Sequence, residues 1–288
     1  MDPKSYLDRY TNLALTDPIN GHPITVPITG YGAGWGDDPT CNRMEVGPKC
    51  QKEYLLGFVP ALRKAHHGNA KTPCGAKFFF DNPRLGIIPA TEDFYPETFV
   101  HAFGGKGSPD EIKDTLRLAM AIGRFGFGKD AAGNAPAKPT LAQYAEAFMT
   151  LDCNGLVSNF HGVKDVINTS VQFFANAARR RTTIGGVRPG DVVVTHGGTK
   201  PYEHVAMIQS WEFDPALASA KSGAVRLRLV EWGEAGDESK HYTGNTPAAV
   251  TAGYGKEPNF GIGFPTAGGV KFRYIFAPPG TNDPHGWS

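Results

Sequence analysis

The chain has 288 residues, 40% of them apolar and 20% charged, which is enough for a sizeable core and is not the composition of a disordered chain. With 29 Lys and Arg against 28 Asp and Glu, the net charge of +1 supplies no whole-chain field to hold a nucleic acid. No apolar run approaches the roughly 18 residues of a membrane span, and the stretch Met1 to Arg9 has no apolar centre of a secretory signal.

Residues 3 to 15 are expected to form a short helix, with Tyr6, Leu7, Tyr10 and Leu13 on one face. From Asp17 to Pro48 the chain is crowded with Gly, Pro, Asp and Asn and reads as an irregular loop. Tyr54, Leu55, Phe58, Leu62 and Ala65 recur at helical spacing over residues 53 to 67, with Pro60 expected to kink or split that helix. The adjacent His66 and His67 face different directions on a helix, which argues against a joint metal or acid–base site. Phe78–Phe80 and Leu85–Ile88 are short apolar runs bounded by turns, read as buried strands or loop anchors. Ser108-Pro109-Asp110-Glu111 is a capping box with proline at the first helical position, and Ile112, Leu116, Ala119 and Met120 form the apolar face behind it. Lys129 to Pro139 has no periodicity and reads as a linker or exposed loop, so a boundary is drawn at residue 135.

The second part, 136–288, has a different rhythm. Helices are expected over Leu141–Thr150, Cys153–His161 and Val166–Arg180, the last with Arg179, Arg180 and Arg181 complementing its dipole. The period then changes to two. Asp191–Thr195, His204–Gln209, Val225–Glu231 and Lys271–Phe276 read as strands. Helices followed by antiparallel strands predict an α+β domain with helices packed on one face of a sheet.

Chemistry concentrates at Asp152-Cys153-Asn154-Gly155. Asp152 is a good N-cap, Gly155 admits a close backbone approach, and a thiol at a helix N-terminus is biased toward thiolate. A cysteine nucleophile needs a histidine in reach and a third group to hold the ring. Among nine histidines, His204 opens an apolar strand directly after a loop, and Glu231 closes the next strand; His161 and His196, beside glycine loops, are rival bases. Of the other cysteines, Cys41 and Cys50 enclose a loop that a disulfide could close. A zinc site from Cys41, Cys50, Cys74 and His66 or His67 lacks the close-spaced ligand pairs such sites use, so no metal is expected.

Asp152–Val157, then Arg188-Pro189-Gly190-Asp191-Val192-Val193, then His204-Val205-Ala206-Met207-Ile208 resemble in order and spacing the NlpC/P60 branch of papain-like cysteine peptidases. Leu229-Val230-Glu231-Trp232 is similar to the strand of the related CHAP amidases whose glutamate orients the histidine. The likeness spans about residues 140 to 235. It implies a papain-like core with a loop-rich extension over 1–135, Cys153 as nucleophile, His204 as base, Glu231 as orienting residue, and no cofactor. It also implies a substrate side made of Asp152, Asn154 and Tyr144. Asn154 stands where these enzymes usually have serine, near the amine end of the substrate, and Tyr144 reads better as a core residue. The implied substrate is an amide bond of cell-wall peptidoglycan. With no secretory signal read at the N-terminus, two expectations stand: a protein that stays in the cytoplasm, or synthesis there and export by a specialised route, as for an antibacterial effector paired with an immunity protein, or for a lysin. Two other readings stay open: acyl transfer or deamidation on proteins or lipids, and a binding scaffold in which Cys153 is structural.

Overall fold

The computed structural model describes residues 1–16, 23–31, 50–65, 78–80, 92–94, 96–124, 139–167, 169–181, 184–195, 204–213, 224–230, 232, 248–253, 261–266 and 269–280. The chain forms two compact units, Asp8–Gly155 and Met1–Leu7 with Leu156–Ser288. The units divide between Leu7 and Asp8 and between Gly155 and Leu156; the boundary expected at residue 135 lies outside the described residues. Residues 139–155 group with the earlier part because Thr150–Leu151 pairs in parallel with Gly30–Tyr31.

The helix expected over 3–15 ends early: α1 is Pro3–Thr11, and Leu13 instead opens strand β1, Leu13–Thr16, which pairs antiparallel with β2, Pro23–Val26. Pro60 acts on the next helix as its chemistry dictates. It has no N–H to donate, and its ring crowds the preceding turn, so the chain widens to a π-helical turn over Glu53–Phe58 before α2, Val59–Ala65. Helix α3 is Pro96–Phe103 and α4 is Pro109–Ala121. The predicted box caps α4: the Ser108 side chain accepts from the Glu111 N–H, and the Glu111 carboxylate accepts from the Ser108 N–H. Ile112, Leu116, Ala119 and Met120 are buried, as the spacing predicts. Phe58 meets Phe99 and Phe103 with ring centroids 5.3 and 5.1 Å apart, at tilted angles that aromatic pairs favour.

A second capping box, Thr140 with Gln143, starts α5, Leu141–Phe148. After β3, Gly30–Tyr31, the short antiparallel pair β4, Phe78–Phe80, and β5, Glu92–Phe94, precedes α3; β6 is Thr150–Leu151. Helix α6, Cys153–Phe160, follows at once. Leu85–Ile88 lies outside the described residues.

The long helix expected over Val166–Arg180 is broken. Among the described residues of this span, α7, Val171–Phe174, and one 3₁₀ turn, Ala177–Arg179, form. Short polar side chains divert the backbone: Thr169 Oγ1 donates to the Asp165 carbonyl at 2.6 Å, and Asn176 caps Ala178 at 2.9 Å. The three arginines therefore do not serve a helix dipole. Arg181 is buried in an ion pair with Asp191, and Arg180 lies over the Tyr274 ring at 4.2 Å.

The strands β7 (Val192–Thr195), β8 (His204–Phe213), β9 (Ala224–Val230), β10 (Ala248–Gly253), β11 (Gly261–Thr266) and β12 (Gly269–Phe276) pair antiparallel in the order β10-β11-β12-β7-β8-β9. β9 also pairs with β10, so the sheet closes into a barrel. The fold is α+β as expected, and where a sheet with helices packed on one face was expected, these six strands close on one another. Every residue of β7 is buried, as a strand covered on both faces requires. Between Ile208 and Ser210 the pairing of β8 with β9 shifts, leaving a bulge at Gln209. That side chain holds the N-terminal segment, accepting from the Lys4 N–H at 2.9 Å and donating to Asp2 at 3.2 Å.

Candidate active site

The start of α6 is built by Asp152. One carboxylate oxygen accepts from the Gly155 N–H three residues on, capping the helix as the sequence predicts, and places Cys153 at its first position. The other oxygen lies 2.7 Å from Lys106 Nζ, in an ion pair whose side chains are 8% and 10% exposed. The Asp152 N–H donates to the Gly105 carbonyl at 2.9 Å. Gly155 is required here, because a Cβ at that position would stand 2.5 Å from the Gly105 carbonyl oxygen and 3.0 Å from Lys106 Cα. Cys153 itself is 5% exposed and is not disulfide-bonded.

Asn154, the next residue, is also buried, and among the described residues its Oδ1 has no hydrogen-bond partner. Tyr144 belongs to a different cluster. Its hydroxyl donates to Glu53 Oε1 at 3.0 Å, and Arg124 clasps the same carboxylate through two contacts of 2.7 Å. Burial first, then the Glu53 charge, pushes the Tyr144 phenol well above its ordinary range. It is a core tyrosine with a satisfied hydroxyl, which favours the structural reading over a substrate contact.

In the other unit, Arg188-Pro189-Gly190-Asp191 forms the turn that starts β7. The Asp191 N–H donates to the Arg188 carbonyl at 3.0 Å, with proline second and Gly190 third at φ +85°, the type II pattern. The Asp191 carboxylate is gripped by Arg181 at 2.8 and 2.9 Å and by the Arg188 N–H at 2.8 Å. This fixes the hairpin in which His204 opens β8, half-buried, directly opposite Thr195. Thr195 Oγ1 is buried and has no hydrogen-bond partner among the described residues. Glu231 and the rival base His196 lie outside the described residues. Strand β9, which ends at Val230 before it, pairs antiparallel with β8 as expected.

The other rival, His161, follows α6. Burial pushes its pKa down to about 4, against the upward pull of a hydrogen bond to the Gly190 backbone. An imidazole so depressed is a weak proton acceptor at neutral pH. Cys50 is buried, its sulfur 3.9 Å from the Ala147 carbonyl, and Cys41, its candidate disulfide partner, lies outside the described residues. Among the described residues no three His, Cys, Asp or Glu side chains gather as metal ligands; Cys41, Cys74, His66 and His67 lie outside them. No helix among the described residues is long and apolar enough to cross a membrane.

No family model, curated protein or solved structure matches the chain. The residues themselves therefore carry the functional argument. Those at the start of α6 include one that the sequence reading missed. Lys106 lies in Gly104-Gly105-Lys106-Gly107, directly before the α4 capping box. Three glycines around one lysine, leading straight into a capped helix, was the available signal. Glycine there serves close packing, and the lone charge it carries is buried.

Proposed function

We propose that the protein is a cysteine hydrolase of papain-like, NlpC/P60-related fold that cleaves an amide bond of bacterial cell-wall peptidoglycan, in the stem peptide or at its junction with the sugar. The observation that carries this reading is the seat of Cys153: a buried thiol at the first position of a helix whose N-cap, Asp152, is itself held by a buried lysine. Helix-terminal N–H groups favour the thiolate and can donate to an oxyanion.

In the proposed reaction the Cys153 thiolate attacks the amide carbonyl, and the Cys153 N–H is one donor to the oxygen. The C–N bond then breaks, and His204, carrying the proton taken from the thiol, gives it to the leaving amine. Water attacks the thioester while His204 accepts its proton, which releases the carboxylic acid and restores the thiol. Glu231 is assigned to orient the His204 ring. Asn154 is assigned to the amine end of the substrate, and its buried Oδ1, which has no hydrogen-bond partner among the described residues, supports that role as an acceptor for an incoming N–H. In a cell that makes its own wall, such an enzyme calls for a protein partner that blocks the cleft.

Incubation of the full chain with purified sacculi tests the reading, with new amines and muropeptides read by mass spectrometry. Release is expected from the wild type, and Cys153→Ala and His204→Ala are each expected to lower it at least ~10³-fold. Sacculi left intact by the wild type would sink the wall-hydrolase assignment.

A further inference from the structure

Lys106 is brought to Asp152 by a segment fixed at nearly every backbone group. The Gly104 N–H donates to the Val100 carbonyl and the Lys106 N–H to the His101 carbonyl, both at 2.9 Å. The Tyr10 hydroxyl donates to the Gly107 carbonyl at 3.1 Å. Glu111, which caps α4 through Ser108, also holds His101 Nδ1 at 2.6 Å. Gly105 has φ +74°, and its carbonyl takes the Asp152 N–H. The ammonium so delivered is buried, and an isolated buried charge costs several kcal/mol, so its seat is stable only opposite another charge. An ionised carboxylate accepts and does not donate, which suits Asp152 to Lys106 on one oxygen and to the Gly155 N–H on the other.

We propose that Lys106 is a positioning residue for the Cys153 nucleophile: through Asp152 it fixes the first turn of α6 and balances the carboxylate charge one residue from the sulfur. The inference rests on the hydrolase reading for its purpose. Its physical content is that the charge state of the pair sets the reactivity of the thiol. The predicted signs follow. Removing the lysine charge leaves an unbalanced carboxylate on the residue before Cys153 and disfavours thiolate; removing the carboxylate charge leaves an ammonium and favours it. Loss of a purely structural clamp would move both variants the same way, toward an ordinary thiol.

The test is the pH dependence of Cys153 alkylation by iodoacetamide in the full chain, followed at the Cys153 peptide by mass spectrometry. Lys106→Met is expected to raise the midpoint by about one unit, and Asp152→Asn, which keeps an oxygen for the Gly155 N–H, to lower it by about as much. Shifts of the same sign, or none in either variant, overturn the proposal. Should Lys106→Met fail to fold, the double variant Lys106→Met/Asp152→Asn carries no charge at the pair. Its midpoint is expected above that of Asp152→Asn, and a midpoint equal to or below it overturns the proposal. Alkylation needs no substrate, so the two readings fail separately. Opposite shifts with intact sacculi sink the wall assignment alone; sacculi digested through Cys153 with unmoved midpoints sink this one alone.

Discussion

His161 follows the last turn of α6, edge-on to Phe160 with ring centroids 4.8 Å apart. Burial holds its pKa near 4, the hydrogen bond to the Gly190 backbone pulls it up, and the Arg179 charge pushes it further down. Its folded pKa is thus below the ordinary value of 6.5. As pH falls, the unfolded chain takes the proton first, so the stability this group contributes is whole above about 6.5 and drains away as pH approaches 4. The two limits correspond to ~3 kcal/mol at most. His161→Gln is expected to flatten the loss of unfolding free energy between those pH values by up to that amount. Urea unfolding of both chains at pH 7 and pH 4.5 measures it, and equal losses would contradict the assignment. The sequence marked His161 as a rival base because it sits beside a glycine. What it could not display is desolvation, which keeps the half-buried ring neutral.

At the scale of elements, the helices that announce themselves chemically were legible. Ser108 with Glu111 and the Pro60 break were both readable because capping and proline chemistry act within four residues. The Val166–Arg180 helix was misread for the opposite reason: its apolar spacing is helical, but Thr169 and Asn176 offer the backbone competing hydrogen bonds. The arginines that follow then found a tertiary partner. The Arg181 N–H donates to the Ile275 carbonyl at 2.8 Å, which lays this segment along β12, and its guanidinium enters the turn before β7 to meet Asp191. Truncating one member of a fully buried pair strands the other charge, at ~3–5 kcal/mol, whereas neutralising both returns much of that cost. Arg181→Met is therefore expected to be severely destabilising, and Arg181→Met/Asp191→Asn measurably less so, because the amide oxygen of the Asp191→Asn side chain still accepts from the Arg188 N–H. Denaturant unfolding of the three chains gives the comparison; a double variant no better than the single would show that packing, and not charge, governs the site.

For the whole molecule, strand existence was legible and strand closure was not. The valines of β7 and the alternation of β9 mark strands locally, but the barrel depends on β9 pairing with β10, and β10, alanine-rich with one glycine, carries no alternating apolar–polar pattern to read. Domain limits were hidden for a related reason. The loop-like composition of 129–139 suggested that a second domain starts there, yet everything that orders the start of α6 comes from residues earlier in the chain. Asp152 needs Gly105 and Lys106, Tyr144 needs Glu53, and β6 needs Gly30–Tyr31. A chain of residues 136–288 alone removes all of these at once. It leaves the Asp152 carboxylate without its buried counter-charge and Thr150–Leu151 without their strand partner. Such a fragment is expected to lose the order of α5 and the first turn of α6, so that Cys153 alkylates with the pH dependence of an exposed thiol, near the free-cysteine pKa of about 8.5. The full chain and the fragment, compared by hydrogen exchange over residues 141–160 and by the alkylation midpoint, decide the matter. Equal protection and equal midpoints in the two would mean that the start of α6 is self-sufficient and that Lys106 is dispensable to it.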